Sequence, residues 1–309
     1  MTVSYSGRKF NWIEDWARVP DTPTSRDNGR THGVAVARDG TVIVFLQATP
    51  AVVFFAPDGN LKNSWGDRFL GAHGLTLVED DGREFLWLTD ERSGEVVKTT
   101  LQGETVLQLE QPSHPEYRAG GYAPTWVAVN EERFGGDGSI WVADGYGSSL
   151  VHQYDREGGY RFTLTGEEGA GHFDCPHGLY FRHAGDRHEL FVADRGNSRI
   201  QVHDENGRFL RSFGEGVLEL PCTCFEYDGE LVIPELNARL TVLTPSGGLV
   251  GYLGENESVC QNPEWPNVPA EDVNPGKFNS PHSATVDGEG NLYVVEWMIG
   301  GRITKLERL

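Results

Sequence analysis

Cationic side chains are scarce in this 309-residue chain: 26 Lys and Arg stand against 46 Asp and Glu, a formal net charge of −20. Such a surface repels nucleic-acid phosphates and anionic membranes, so neither is expected as a partner. Cysteine is scarce too. Cys175, Cys222, Cys224 and Cys260 are too few for a disulfide scaffold in a chain of this length. No apolar run approaches the roughly 18 residues of a spanning helix. The segment MTVSYSGRKFNW carries no long apolar stretch of secretory type. These absences give the expectation of a reducing, cytoplasmic location. No segment holds a 3.6-residue apolar period for several turns, so long helices are not expected.

What the chain does have is a repeat. Its unit is a short apolar strand, a DG or NG turn, a second apolar strand ending in an acid, and a third strand. The second strands align as TVIVFL (41–46), EFLWLTD (84–90), SIWVAD (139–144), ELFVAD (189–194), ELVIPE (230–235) and NLYVVE (291–296). Fourth strands follow, such as RFTLTGEEG (161–169) and GYLGE (251–255). Six copies of four strands predict an all-β, six-bladed β-propeller, a single domain over residues 1–309. The sixth copy lacks its fourth strand, and KFNWIEDW (9–16) resembles that strand elsewhere, so an N-terminal strand is expected to close the last blade. Closure removes free sheet edges. The long segments 103–122 and 256–280 are expected to cap the channel and shape specificity.

Three histidines ride on the repeat at nearly equal spacing. His73 opens AHGLTLV, His177 opens PHGLYF and His282 opens PHSATVD, with separations of 104 and 105 residues. Each precedes the innermost strand of alternate blades, so a six-fold ring brings three imidazoles to one face. Three protein ligands with an open fourth position are the pattern of catalytic zinc. Zn2+, or another divalent transition metal, is therefore the expected cofactor at His73, His177 and His282. An isolated His before a strand is more often a channel-lining residue; three in register carry the metal reading. His32, in THGVAV, holds the same position in blade one and is open to reading as a fourth ligand, a proton carrier or a channel residue. Thr125 and Cys222 hold it in blades three and five. The remaining histidines, His114, His152, His172, His183, His188 and His203, fall outside this register and read as surface residues. The acids ending the second strands (Asp90, Asp144, Asp194, Glu235, Glu296) read as structural acceptors of backbone N–H groups at the turns.

The histidine pattern, together with VADGYGSSLVHQYD (142–155) and VADRGNSRIQVHD (192–204), resembles the peptidyl-α-hydroxyglycine α-amidating lyases, six-bladed propellers of the NHL-repeat type. The resemblance covers nearly all of the chain from His32 onward. It implies zinc at His73, His177 and His282, with Tyr146 as general base toward a substrate hydroxyl and Arg195 as an active-site cation. Zinc polarises the hydroxyl oxygen while a positive charge stabilises the phenolate. The chain also departs from that family. Gln47 stands where the family carries a substrate-binding arginine, and an amide does not replace a guanidinium as a carboxylate clamp. Arg92 is the substitute suggested by sequence. Ser283 replaces a calcium-binding aspartate, which removes the support for a structural Ca2+. Gly147 replaces a cysteine of a disulfide.

Three functions follow as expectations. The first is a metal-dependent lyase acting on a small hydroxylated substrate. The second is a hydrolase or hydratase using metal-activated water, with His32 as proton shuttle. The third is a non-enzymatic NHL interaction propeller binding an unknown protein partner.

Overall fold

The computed structural model describes residues 1–119, 121–269 and 272–309, with the side chains of Arg118 and Ala119 also left aside. The chain forms two compact units, residues 71–216 and residues 1–70 with 217–309. The expected segments 103–122 and 256–280 therefore fall partly outside the described residues.

The unit of residues 71–216 holds three four-stranded antiparallel sheets, each a simple meander. They run Ala72–Asp80, Arg83–Asp90, Glu95–Thr100 and Thr105–Gln108; then Trp126–Val129, Ile140–Asp144, Leu150–Tyr154 and Tyr160–Leu164; then Pro176–Ala184, Arg187–Asp194, Arg199–Asp204 and Phe209–Phe213. The second strand of a blade is covered on both faces, which is why it reads as an unbroken apolar run rather than an alternation. Ile140–Asp144, for example, is buried at every position. Trp141 and Phe181 from adjacent sheets pack into one cluster with Trp126, Leu179 and Leu190.

The other unit repeats the meander in Thr31–Val36, Val42–Leu46, Val52–Phe55 and Leu61–Trp65, and in Phe225–Tyr227, Glu230–Glu235, Arg239–Leu243 and Leu249–Leu253. Its third sheet has five strands, in the order Thr2–Tyr5, Arg8–Ala17, Arg302–Arg308, Leu292–Glu296 and Pro281–Val286. The expected N-terminal closing strand is present: Phe10 pairs with Arg308 and Trp12 with Leu306. Thr2–Tyr5 adds a further edge strand that the repeat did not predict. Phe10 and Trp12 anchor the closure, packing with Val232, Leu292, Leu306 and Phe278.

These six sheets are the blades of an all-β, six-bladed propeller. Helix is confined, among the described residues, to Pro23–Asp27 and short 3₁₀ turns. No helix is long and apolar enough to cross a membrane. Cys175, Cys224 and Cys260 are in no disulfide.

The acids that end the second strands do what the turn chemistry requires. Asp90 accepts backbone N–H bonds from Gly71, Arg92 and Ser93 at 2.8–3.0 Å. Asp144 accepts from Ala123 and Ser148, both at 2.7 Å. Asp194 accepts from Asp174, and Glu296 from Asn279 and Ser280. In three blades the acid also holds an arginine: Arg199 on Asp194, Arg239 on Glu235 and Arg302 on Glu296.

Candidate active site

Four first strands begin with a histidine at their second residue, and in all four the ladder to the second strand breaks at that point. The register shifts between Ala72 and Leu75, between Pro176 and Gly178, between Thr31 and Gly33, and between Pro281 and Ser283. A bulge re-aims the extra residue away from the regular pleat. Here the residue in each break is His73, His177, His32 or His282, and all four are buried to within 1%.

In the unit of residues 71–216, His73, Tyr146, His177 and Arg195 converge. The Tyr146 hydroxyl lies 3.2 Å from Nε2 of His73 and 3.2 Å from Nε2 of His177. Nη1 of Arg195 donates to the same hydroxyl at 3.3 Å, and its guanidinium lies over the tyrosine ring at 5.2 Å. The two imidazole rings stand 4.7 Å apart between centroids. Tyr146 is 42% exposed, so a solute reaches the hydroxyl from solvent while the imidazoles behind it are dry.

Backbone contacts explain how the chain holds this cluster. His73 Nδ1 donates to the Thr125 carbonyl at 2.8 Å, which leaves Nε2 as a bare lone pair aimed at Tyr146. Fixing one ring nitrogen on a carbonyl is how proteins orient metal-binding imidazoles. Gly74 is needed beside it, because a Cβ there would sit 2.5 Å from the Thr125 carbonyl oxygen. The loop carrying Tyr146 is equally tight. A Cβ on Gly147 would come within 2.0 Å of the Gly121 carbonyl oxygen and 2.1 Å of Asp144. Tyr117, from the segment before this loop, donates to Asp144 at 2.6 Å. Sequence reasoning passed over Cys175. Its carbonyl accepts from the Arg195 backbone at 3.1 Å. Burial raises the thiol pKa while Arg195 pulls it down.

The other unit holds the second pair of histidines. His282 Nδ1 donates to the His32 carbonyl at 2.8 Å, and the two rings are 4.5 Å apart. His282 thus presents Nε2 in the same tautomer as His73. His32 Nδ1 lies 3.1 Å from the Arg30 carbonyl. Cys222, also buried, directs its thiol to the Leu220 carbonyl at 3.7 Å. Gln47 accepts from Asn28 at 3.1 Å, an amide paired with an amide. Arg92, in the first unit, lies exposed on a loop with its Nε 3.7 Å from Glu91.

Three histidines read as surface residues are in fact interior. His152 and His203 are fully buried and His188 is 9% exposed. The cause is that outer strands are themselves covered by the next blade and its loops. His152 lies against Tyr117 at 2.6 Å and Thr163 at 2.8 Å, and burial pushes its pKa down to about 3. His183 and His188 form a close pair, Nδ1 to Nδ1 at 2.7 Å, and burial, followed by His188, lowers the pKa of His183 to about 4.

Fold and repeat together define a six-bladed β-propeller with a buried histidine pair in each unit. Within that class the chain resembles the NHL repeat proteins and the amidating lyases. It is 28% identical to human NHL repeat-containing protein 3 over 281 residues, 82% of this chain and 75% of that protein. It is 32% identical to a Caenorhabditis elegans protein described as a probable peptidyl-α-hydroxyglycine α-amidating lyase, over 226 residues, 64% of this chain and 60% of that one. Among solved structures, a catalytically inactive virginiamycin B lyase of Staphylococcus aureus with quinupristin matches with a TM-score of 0.63 at 15% identity, over 97% of this chain and 100% of that one. That likeness concerns the fold alone. No family model matches the chain.

Proposed function

We propose that the protein is a metal-dependent lyase of amidating-lyase type, acting on a small hydroxylated substrate. The observation that carries this reading is the single point shared by the Tyr146 hydroxyl, Nε2 of His73 and Nε2 of His177, with Arg195 beside it. His73 and His177, joined by His282 from the equivalent place in its own blade, would hold the metal. The donor chemistry fits, since His73 and His282 are each anchored through Nδ1 to a backbone carbonyl and offer Nε2. Neutral imidazoles of this kind suit zinc and other divalent transition metals. A bound zinc ion supplies Lewis acidity toward a substrate oxygen.

The chain's own groups then account for the proton traffic. Tyr146, as phenolate, takes the proton of the substrate hydroxyl. The O–H electron pair becomes the second bond of a carbonyl, the C–N bond breaks, and the departing nitrogen takes up a proton. Arg195, 3.3 Å from the phenol oxygen, stabilises its negative charge. His32 is a candidate proton carrier on the neighbouring imidazole. One relative supports this reading: the worm protein is described as a probable amidating lyase. The low cysteine content fits a reducing compartment such as the cytoplasm.

The experiment is elemental mass spectrometry on the purified protein beside His177→Ala. About one transition metal per chain, lost in the variant, supports the reading; no metal in either, even after reconstitution, removes it and leaves an NHL interaction propeller.

A further inference from the structure

Arg30 is a part-buried guanidinium that no acid among the described residues neutralises. Its Nη1 donates to the Asn28 side-chain carbonyl at 2.6 Å, and its guanidinium lies 5.2 Å from the Trp297 ring centroid. Its Nε is buried with no acceptor. Among the described residues no carboxylate pairs with it, whereas Arg199, Arg239 and Arg302 each hold a buried acid. Burial alone acts on its pKa, lowering it, with no acidic neighbour to raise it. An arginine stays charged in a protein, so a desolvated guanidinium without a counter-charge is unfavourable unless an anion is to be bound there. The surroundings are neutral: Asn28, the Gln47 amide that Asn28 engages, and an indole face.

Position strengthens the case. The Arg30 carbonyl accepts from the Gln47 backbone at 2.9 Å and faces His32 Nδ1 at 3.1 Å. Arg30 thus lies two residues before His32, whose ring packs on His282, and its backbone bonds to that of Gln47. We propose that Arg30 is the receptor for a small carboxylate, held beside His32 with Trp297 as one wall. A guanidinium fork takes a carboxylate in a bidentate pair, with a geometry a point charge does not provide. The site goes beyond the lyase reading and rests on none of its metal ligands acting as such.

The test is calorimetric titration of glycolate into the full chain, as purified and after chelator treatment, with neutral glycolamide as control and phosphate as competitor. Wild type, Arg30→Gln and Arg30→Lys are compared, with circular dichroism to verify that each is folded. The expected result is glycolate binding to the wild type, weakened at least tenfold in Arg30→Gln and partly kept in Arg30→Lys, while glycolamide shows no such dependence. The loss should be the same with and without chelation, which separates this site from any metal. Absent binding to the wild type, equal binding to Arg30→Gln, or phosphate binding more tightly than glycolate overturns the proposal.

Discussion

The hydroxyl of Tyr117 meets the carboxylate of Asp144 at 2.6 Å. Asp144 is fully buried and also accepts the backbone N–H groups of Ala123 and Ser148, on either side of the loop that presents Tyr146. Tyr117, through Asp144, thus bears on the geometry of the proposed base.

Replacing Tyr117 by Phe removes a hydrogen bond to a buried carboxylate. Bonds to charged groups contribute about 1.5–3 kcal/mol. Urea denaturation should show a loss of that order, and the variant should keep its metal content. An unchanged midpoint would mean the contact holds nothing together.

Gly147→Ala tests the loop more sharply. Its Cβ would press on the Gly121 carbonyl and on Asp144, both backed by packed structure. We expect Tyr146 to be displaced and turnover to fall further than stability does. Full activity in Gly147→Ala would show that the tight turn is not needed.

Tyr146→Phe and His73→Ala divide the roles assigned to the cluster. Loss of a general base lowers rate by roughly 10²–10⁴-fold. Tyr146→Phe should therefore lose turnover and keep metal, and His73→Ala should lose both, as read by elemental analysis beside product assay. Turnover surviving in Tyr146→Phe removes the phenolate from the mechanism.

His152 sets a pH dependence of stability. Its folded pKa, about 3, lies below the 6.5 of an unperturbed imidazole. Between those values the unfolded chain binds a proton that the folded chain does not. Its effect is absent above the unfolded value, and stability is lost as pH falls from 6.5 toward 3. The slope from one such group approaches about 1.4 kcal/mol per pH unit. His152→Gln should flatten the slope of chemical-denaturation stability between pH 6 and pH 4, relative to wild type, by up to that amount; an unchanged slope would assign the loss to other groups.

Much of this molecule was readable before any coordinate. A glycine turn between apolar strands, DG in most copies, dictates meander blades, and the histidine spacing marked four equivalent positions. The acids at the ends of second strands were read correctly because their role is local. What sequence could not supply was non-local. Nothing in the sequence says that His152 faces Tyr117, a residue 35 positions away. The bulges were equally hidden, since a register shift belongs to a pair of strands. Arg92 was the arginine suggested to stand in for Gln47 as a clamp; in the structure it is Arg30 whose carbonyl accepts from the Gln47 backbone. That no carboxylate among the described residues pairs with Arg30 is visible only from the structure.

Pairing Phe10 with Arg308 also orders events in time. The strand around Phe10 finds its neighbour only after the roughly 300 residues up to Arg308 have emerged. At ribosomal speeds of about 5–20 residues per second, that delay is roughly 15–60 s. For that interval Phe10 and Trp12 are apolar surface without a home, which makes the early segment a natural client for a chaperone. The same pairing should make unfolding begin there, because the contact farthest apart along the chain is the one that restores most entropy when it opens.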